Sequence, residues 1–428
     1  AMARRFSSLD ARALGDRQLA RRSRELGRAL GQQLRLLLTL NTASFGTFGI
    51  LALMCEGWAG EKALAEELVM GLKASRTGEG SLRLAEIARQ ASGNPALRQL
   101  IQDCSPGELW QTLRGRPEAA RLVSALDSYL DEYGHRCAGE VDIAVPRWRE
   151  DPTPIMAAFR EHVAASPGAD PSGYRQTLRE RWRRAEARAL RRIAAWQRPP
   201  FLLALQQTRS LMSLREDPKF ELLKLMLPLR RFILEMADRL VDRGLLPRPE
   251  DVFSLRESEL HRFLRATPGP AVIAELTALV EERRQERELL DTVEPPEIIG
   301  PGGQPLVGAV TAPASPTRQL RGLGASPGRA RGPARVVKTL ADGDQVKSGE
   351  ILVAPVMDPG WTCVFPLVSA IVTDLGGVLS HAAVVARELG VPAVVNTGSG
   401  SRRITTGVEI EVDGDRGTVT ILEDGGLL

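Results

Sequence analysis

The sequence predicts a multidomain α + α/β fold, in which a large all-α domain is followed by a compact α/β domain. From Leu9 to about Leu290, apolar residues recur at helical spacing between Arg and Gln residues. After Asp291 this period stops, and Pro, Gly and Ser become frequent. Beyond Gly322 the chain consists of short β-branched runs bounded by glycines, which is typical of strands. The 428 residues are enough for two or three domains, each with its own core.

The helical part opens with leucines that fall on one face of a helix, and the same pattern recurs in later segments. The last of these segments ends at Gly244, which we expect to close its helix in the left-handed conformation before a proline-containing loop. The leucines of the first face are Leu19, Leu26, Leu30, Leu34 and Leu38.

One stretch of this part, residues 36–55, carries no charge and is just long enough to span a bilayer. It contains Asn41, Ser44, threonines and glycines, and it follows an arginine-rich amphipathic segment. We therefore expect a buried pair of core helices here, and no membrane partner.

The α/β part follows a connector that is rich in Pro, Gly and Ser and has no helical period. Two strand-like runs near the end are joined by DGDRG, which predicts a hairpin. The predicted division is a helical domain over residues 1–293, a linker and hinge over 294–320, and the α/β domain over 321–428.

Composition and charge exclude several classes of function. The net charge is only +4 and aromatic residues make up 4%, so no nucleic-acid partner is expected. The four cysteines lie far apart without a CxxC pair, which argues against a metal site and against disulfides. This cysteine usage suits a reducing cytoplasm. The N-terminus is charged and lacks the apolar run of a signal peptide, so we expect a cytoplasmic protein.

The segment TDLGGVLSHAAVVARELGVPAVV, residues 373–395, has the strongest chemical signal in the chain. Gly376 and Gly377 allow a sharp turn after a strand and a close approach of a ligand to the backbone. Ser380 is a good N-cap, which places His381 in the first turn of a helix, where free N–H groups attract anions. A neutral imidazole there can attack phosphorus, and Arg387 can add positive charge or pair with a neighbouring carboxylate. The residues alone also fit a structural histidine in a glycine-rich turn.

The same segment resembles the phosphohistidine signature of enzymes that use or make phosphoenolpyruvate. In that signature Gly-Gly precedes a Ser/Thr/Cys-His-Ala unit, and Ala-Arg-Glu-x-Gly-x-Pro-Ala follows it. The runs GLGASPGRARGPARVV and ILVAPVMDPGWTCVF further resemble the mobile domain of rifampicin phosphotransferases and related dikinases, including phosphoenolpyruvate synthase. The resemblance implies that residues 321–428 form a phosphohistidine swivelling domain in which His381 carries the phosphoryl group. It implies that Gly376, Gly377, Ser380 and Arg387 cradle the phosphate.

The helical part resembles the acceptor-binding domain of the same family at two places. YGHRCAGEVDIAVPRWREDP is similar to a YGxRCxGEIDI-type segment, which implies that Arg136, Glu140 and Asp142 bind substrate. These residue types would also suit an internal network of salt bridges, and both interpretations remain open.

The second place is Arg-Glu-x-Pro-Lys, which in this family lies where the phosphohistidine meets the acceptor. Here the motif consists of Arg215, Glu216 and Lys219 around Asp217 and Pro218. Arg215 and Lys219 can neutralise a phosphoryl group in transfer, and Glu216 can accept the proton of the acceptor hydroxyl. A surface charge cluster at the start of a helix is the alternative.

The family's full-length members begin with an ATP-grasp-type nucleotide domain, and no glycine-rich phosphate loop is found in this sequence. We therefore expect ATP and Mg²⁺ to be bound by a further domain or a partner subunit, and no cofactor or metal on this chain alone. The order of the segments favours a rifampicin phosphotransferase-like enzyme over a phosphoenolpyruvate synthase, which would continue into a TIM barrel. A fragment of a longer enzyme and a separate subunit are equally compatible with the sequence.

The resemblance implies an ATP-dependent phosphotransferase of the dikinase type, with AMP and phosphate as by-products and a small hydroxyl compound as acceptor. Two alternatives remain. Phosphorylation could drive a condensation or dehydration in natural-product biosynthesis, as in the pyrrole-condensing enzymes that make prodigiosin. The chain could instead be a non-catalytic phosphocarrier or binding module.

Overall fold

The computed structural model confirms the predicted fold class: helices form the first three hundred residues, and a mixed sheet with short helices forms the rest. The described residues are 5–6, 8–61, 64–70, 72, 76–165, 171–293, 298–306, 318–338 and 345–422.

The helices of the first part end where the sequence loses its helical period or meets Gly or Pro. Gly244 has φ +68° shortly after the helix that ends at Asp242, as predicted for a left-handed end. In chain order the helices are α1 (Asp16–Ala59), α2 (Leu64–Leu68), α3 (Arg76–Ser92), α4 (Pro95–Asp103), α5 (Pro106–Arg114), α6 (Ala120–Tyr133), α7 (Thr153–Ala164), α8 (Pro171–Arg192), α9 (Arg198–Leu214), α10 (Glu216–Asp242), α11 (Glu257–Phe263) and α12 (Pro270–Asp291).

The expectation of a buried helix pair over residues 36–55 is wrong. The segment belongs to the single helix α1, which is 44 residues long. Only 11% of its most apolar window is buried, and this helix is long and apolar enough to cross a membrane by length and composition. Asn41 and Ser44 do not break it: the Ser44 hydroxyl donates to the Leu40 carbonyl at 2.7 Å, a bond that a helix accommodates.

The α/β part contains a sheet of eight strands in the order β3-β10-β9-β5-β6-β7-β8-β4. Its middle strands β5 to β8 run parallel, and the predicted hairpin is the antiparallel pair of β9 and β10. The strands are β1 (Ile298–Ile299) and β2 (Pro305–Leu306), which pair with each other, then β3 (Gln319–Arg321), β4 (Leu323–Ser326), β5 (Arg329–Val336), β6 (Ile351–Ala354), β7 (Ala370–Thr373), β8 (Ala393–Val395), β9 (Glu409–Asp413) and β10 (Thr418–Ile421); helix α13 (His381–Leu389) lies between β7 and β8, and α14 (Gly400–Arg403) follows β8.

The chain divides into two compact units. The first unit comprises residues 1–34, 141–145 and 221–315, and Phe232, Met236 and Leu240 are at the centre of its apolar cluster. The second unit comprises residues 35–140, 146–220 and 316–428. The predicted domain boundaries at 293 and 321 stay predictions, and much of the proposed linker, residues 294–297 and 307–317, lies outside the described residues.

Within the second unit, helices and sheet share one apolar cluster. Tyr129 and Phe159 from the helices belong to it, together with Trp361 and Phe365 from the segment between β6 and β7. Residues 359–363 form a short 3-10 turn in which every residue is buried. Through this turn the α/β region packs against α3, and the Cys363 carbonyl contacts His162 of α7.

Candidate functional site

His381 is the first residue of α13, directly after the loop that follows β7. Ser380 is the N-cap: its hydroxyl oxygen accepts from the Ala383 amide at 3.4 Å, as the sequence predicted. The helix closes at Gly390 in the left-handed conformation. The imidazole thus lies in the first turn of a helix, where unpaired amides and the helix dipole favour an anion.

Of the two glycines before His381, only Gly376 has a conformation that requires glycine. Its φ is +131°, and a Cβ there would lie 3.1 Å from the Ser380 hydroxyl. A Cβ on Gly377 would meet nothing within 4 Å, so the space beside this residue is open. The turn thus places the Ser380 side chain close to Gly376, whereas the space next to Gly377 is open.

The carboxylate of Asp374, which the sequence analysis missed, fixes the other end of this loop. It is 6% exposed and accepts hydrogen bonds from the Thr397 hydroxyl at 3.0 Å and from the amide and hydroxyl of Ser401 at 3.0 and 2.5 Å. A buried carboxylate with this many donors holds its loop firmly. The available signal was an Asp directly after a buried strand, next to Gly-Gly.

Arg387 lies one and a half turns further along α13. Its guanidinium donates to the carbonyls of Ala325 and Val378, both at 2.6 Å. These bonds tie α13 to β4 and to the loop before His381. Burial raises the pKa of Glu66, and the positive charge of Arg387 partly offsets this rise. The predicted contact of Arg387 with phosphate stays a prediction.

The structure brings Arg215 to the His381 loop. Arg215 connects α9 and α10, is 8% exposed, and donates to the carbonyl of Leu379 at 3.2 Å. Its guanidinium carbon lies 5.6 Å from the ring centre of Phe45 on α1, within the range of a cation–π contact. Leu379 itself packs against an apolar cluster formed by α1, α2, α8 and α9. A cation of the helical part therefore contacts the backbone of Leu379, which is two residues before His381 in the chain.

Lys219 belongs to a buried ionic group on the opposite end of the same motif. Its ammonium lies 3.3 Å from one carboxylate oxygen of Glu140, in an ion pair without the alignment of a hydrogen bond. The other oxygen of Glu140 accepts from Arg136 at 2.6 Å, and both of these side chains are at most 3% exposed. The salt-bridge interpretation of Arg136 and Glu140 is thus correct in geometry, and their contact with a substrate stays a prediction.

Two further predicted residues are placed differently. Asp142 lies in the first unit, where it pairs with Arg287 at 3.5 Å and accepts from the amide of Ala144. Glu216 is the first residue of α10, and its side chain lies outside the described part of the structure. Their roles stay predictions.

Arg147, which the sequence analysis also missed, binds the segment that contains Glu140. It is fully buried and donates to the carbonyl of Glu140 at 2.9 Å and to the sulfur of Cys137 at 2.5 Å. Burial raises the pKa of Cys137 to about 11, so this thiol stays protonated at neutral pH and is a packing group. Nothing in the spacing of the sequence indicated which arginine would be interior.

Two polar contacts join the buried turn 359–363 to the helices. The Gly139 amide donates to a carboxylate oxygen of Asp358 at 2.8 Å. A ring nitrogen of His162 contacts the Cys363 carbonyl at 3.0 Å; because a carbonyl only accepts, this nitrogen carries the proton. Burial lowers the pKa of His162 to about 4, so the ring is neutral at pH 7.

The arrangement around His381 suits the binding of a phosphoryl group. Among the described residues, no group of three or more His, Cys, Asp or Glu side chains is placed to hold a metal ion. The site instead offers a histidine at a helix N-terminus, an open glycine beside it, and the cation Arg215 in contact with the same loop.

The comparisons with known proteins agree with this chemistry. Residues 37–216 match the fourth domain of rifampicin phosphotransferase, and residues 346–417 match the mobile domain of PEP-utilising enzymes. Rifampicin phosphotransferase of Streptomyces sviceus is 31% identical over 373 residues, which are 86% of this chain and 42% of that protein. The prodigiosin synthesizing transferase of Serratia marcescens is 32% identical over 435 residues, or 98% of this chain and 47% of that protein. The chondramide synthase of Chondromyces crocatus is 34% identical over 81% of this chain and 9% of that protein.

The predicted resemblance is therefore confirmed: the chain is similar to rifampicin phosphotransferases over most of its length, and residues 346–417 match the mobile domain of PEP-utilising enzymes. These matches support an enzyme of the phosphotransferase type. The chain spans 42% of the length of the rifampicin phosphotransferases that it matches. Among solved structures, a solution structure of Enzyme I aligns with 83% of this chain and 82% of that chain at 12% identity, but its TM-score of 0.20 establishes no shared fold.

Proposed function

We propose that this chain is the phosphoryl-carrying and acceptor-binding part of an ATP-dependent phosphotransferase. His381 takes a phosphoryl group that comes from ATP and delivers it to a hydroxyl of a small organic acceptor on the helical part. The observation that carries the proposal is the contact of Arg215 with the Leu379 carbonyl, because it joins the predicted acceptor motif to the His381 loop.

The reaction has three steps. The imidazole of His381 attacks the β-phosphorus of ATP, the bond to the oxygen shared with the α-phosphorus breaks, and AMP leaves. Water then cleaves the pyrophosphoryl-histidine, and inorganic phosphate leaves with phosphoryl-histidine remaining. Finally the acceptor oxygen attacks phosphorus, the N–P bond breaks, and the hydroxyl proton passes to a carboxylate, for which Glu216 is the candidate. ATP and Mg²⁺ are assigned to a further domain or partner subunit, as the resemblance to enzymes with an ATP-grasp-type nucleotide domain implies.

The positive charges have separate tasks in the last step. The guanidinium of Arg215 approaches the loop at Leu379 and neutralises the phosphoryl oxygens as they leave His381. The ammonium of Lys219 pairs with Glu140, and the Lys219 side chain is 30% exposed, so it can still reach a ligand. Fixed charges of this kind act without reorganisation at the moment of transfer.

The surface beside Arg215 favours an acceptor with an apolar body. Phe45, whose ring faces Arg215, is 49% exposed, and Leu214, which directly precedes it in the chain, is 52% exposed. Large apolar side chains left in solvent next to a charged reaction centre are typical of a ligand surface. Rifampicin, the compound in the names of several relatives, is therefore the first acceptor to test.

A second function has its own support. The match to the prodigiosin synthesizing transferase covers 98% of this chain, against 86% for the rifampicin phosphotransferase of Streptomyces sviceus. In that function the phosphoryl group would activate an intermediate for condensation and then leave as phosphate. The final product would then contain no phosphate.

The experiment supplies the chain with ATP, Mg²⁺ and the nucleotide-binding domain of a relative, and then with rifampicin. One phosphate is expected on His381, stable in base and lost in mild acid, as a phosphoramidate behaves. Peptide mapping uses the three other histidines, His135, His162 and His261, as internal controls. His381→Ala is expected to abolish both label and transfer.

The outcomes separate the functions. A phosphorylated acceptor supports the first proposal, whereas an unphosphorylated coupled product, obtained when the activated partner is supplied, supports the second. A labelled chain whose delivery is insensitive to change at Arg215 and Lys219 indicates a carrier module. An acid-stable label, or full turnover by His381→Ala, contradicts the role of His381.

A further inference from the structure

The carboxylate of Asp358 connects two parts of the second unit. One oxygen accepts from the Gly360 amide at 2.8 Å and caps the buried turn 359–363 of the α/β region. The other oxygen accepts from the Gly139 amide at 2.8 Å, in the segment between α6 and α7. One side chain therefore shapes its own turn and binds the backbone of the helical part.

The bound segment leads directly to a charged group of the proposed acceptor site. Gly139 has φ +63°, a left-handed conformation that turns the chain before Glu140. The Glu140 side chain is 2% exposed and pairs with Lys219 at 3.3 Å. The path from Asp358 to Lys219 thus consists of one hydrogen bond, one peptide unit and one ion pair.

The Gly139–Glu140 segment is held from two sides. Asp358 accepts from the amide of Gly139, and the buried Arg147 donates to the carbonyl of Glu140 at 2.9 Å. Arg147 belongs to the helical part, as does the segment that it holds, so its bond to Glu140 does not join the two regions. The Asp358 contact exists only while the turn 359–363 is docked, so docking decides whether the second hold is present.

We propose that Asp358 is a positioning residue that links docking of the α/β region to the placement of Lys219. This inference rests on the proposed function, in which the α/β region visits the helical part to deliver the phosphoryl group. When it docks, Asp358 fixes the Gly139 peptide, Glu140 takes its buried position, and Lys219 is drawn into place. When it leaves, that restraint on the charge of Lys219 is lost.

The alternative is that Asp358 has only a structural role as the N-cap of its own turn, a position where Asp is common. Asp358→Ser separates the two roles. Serine is as good a cap as aspartate, so the bond to the Gly360 amide is kept, but its side chain is one bond shorter and cannot reach Gly139. Asp415→Asn is the matched control, since Asp415 joins the same two regions through Arg181 at 3.2 Å and has no contact with Gly139.

The measurement follows two quantities in the whole chain: the NMR signal of Lys219 and the hydrogen exchange of the Gly139 amide. Reductive methylation with ¹³C-formaldehyde labels the six lysines, which keep their charge, and Lys219→Arg assigns the signal of interest. In Asp358→Ser we expect the Lys219 signal to move toward that of the exposed Lys338. Hydrogen exchange at Gly139 is expected to accelerate about tenfold or more, the loss of one bond to a charged acceptor. Asp415→Asn is expected to change neither.

Each other outcome counts against the proposal. If the Gly139 amide exchanges faster but the Lys219 signal does not move, Asp358 restrains the Gly139 backbone without placing Lys219. If neither changes, the contact between Asp358 and Gly139 affects neither group. Exchange that rises throughout both regions indicates general undocking, not a specific link. Because the readout does not involve phosphoryl transfer, a chain that fails to label at His381 but shows the Lys219 shift would reject the proposed function and keep this one. In the transfer assay, Asp358→Ser is expected to keep the His381 label and to slow its delivery on the order of tenfold.

Discussion

The guanidinium of Arg215 donates to the backbone carbonyl of Leu379 at 3.2 Å, and Leu379 is two residues before His381. The two partners are 164 residues apart in the chain. The guanidinium carbon of Arg215 also lies 5.6 Å from the ring centre of Phe45. The hydrogen bond to Leu379 and the contact with Phe45 thus hold Arg215 next to the loop that carries the histidine.

The first prediction follows from this contact. Arg215→Ala is expected to leave labelling of His381 intact and to lower the rate of transfer to the acceptor by about a hundredfold or more, since a fixed charge at a phosphoryl-transfer site contributes several kcal/mol. Arg215→Lys keeps the charge but loses the planar contacts, so we expect an intermediate rate. Arg198→Ala, an exposed position at the first residue of α9, the helix that precedes Arg215, is the control. Equal transfer rates in Arg215→Ala and Arg198→Ala would show that Arg215 only packs against the loop.

The two glycines before His381 provide a second, internally controlled prediction. Gly376→Ala forces a side chain into φ +131° and within 3.1 Å of the Ser380 hydroxyl, which costs about 1–3 kcal/mol and disturbs the N-cap of α13. Gly377→Ala meets nothing within 4 Å and should leave stability unchanged. Urea denaturation followed by circular dichroism measures both. A Gly376→Ala protein as stable as the wild type would mean that the turn relaxes without cost.

The third prediction concerns pH. Burial lowers the pKa of His162 from its usual 6.5 to about 4, so protonation favours the unfolded chain. The contribution of neutral His162 to the free energy of unfolding is complete above pH 6.5. It is lost progressively as the pH falls from 6.5 through the folded-state pKa of about 4. It amounts to at most about 3 kcal/mol, since part of the residue still contacts solvent.

Glutamine at this position can still donate to the Cys363 carbonyl but does not titrate. The denaturation midpoint of His162→Gln is therefore expected to fall less steeply than that of the wild type between pH 6.5 and 4. His261→Gln is the comparison, because burial also lowers the pKa of His261. If the wild type and His162→Gln show the same slope, the buried neutral ring does not govern acid sensitivity.

The fourth prediction concerns the connector. Its Pro, Gly and Ser content predicts that limited proteolysis cuts first within residues 294–320. The two fragments should nevertheless remain together on gel filtration, because Trp361 and Phe365 are buried in a cluster with Tyr129 and Phe159 of the helices. Moderate urea should then separate them. Fragments that separate at once in buffer, or first cuts within the helices, would contradict this arrangement.

Local signals were sufficient for the elements around His381. The parallel strands β7 and β8, the helix between them, its N-cap at Ser380 and its end at Gly390 depend on turns and caps that neighbouring residues determine. The β9–β10 hairpin was predictable for the same reason. In α1, the lack of charge over residues 36–55 did not predict burial. The segment is helical as its composition suggests, but its exposure depends on which elements pack beside it.

Local sequence was therefore enough to single out His381 as the candidate for carrying phosphate, because a histidine behind a serine cap is a local arrangement. It did not determine what surrounds that residue. The contact of Arg215 with Leu379 and the bond from Gly139 to Asp358 join residues 164 and 219 positions apart. No propensity or period encodes such pairs; they form only when the apolar cluster around Trp361 packs the sheet against the helices. The tertiary structure alone decided which charges become buried partners, as with Glu140, and which remain beside the histidine loop, as with Arg215.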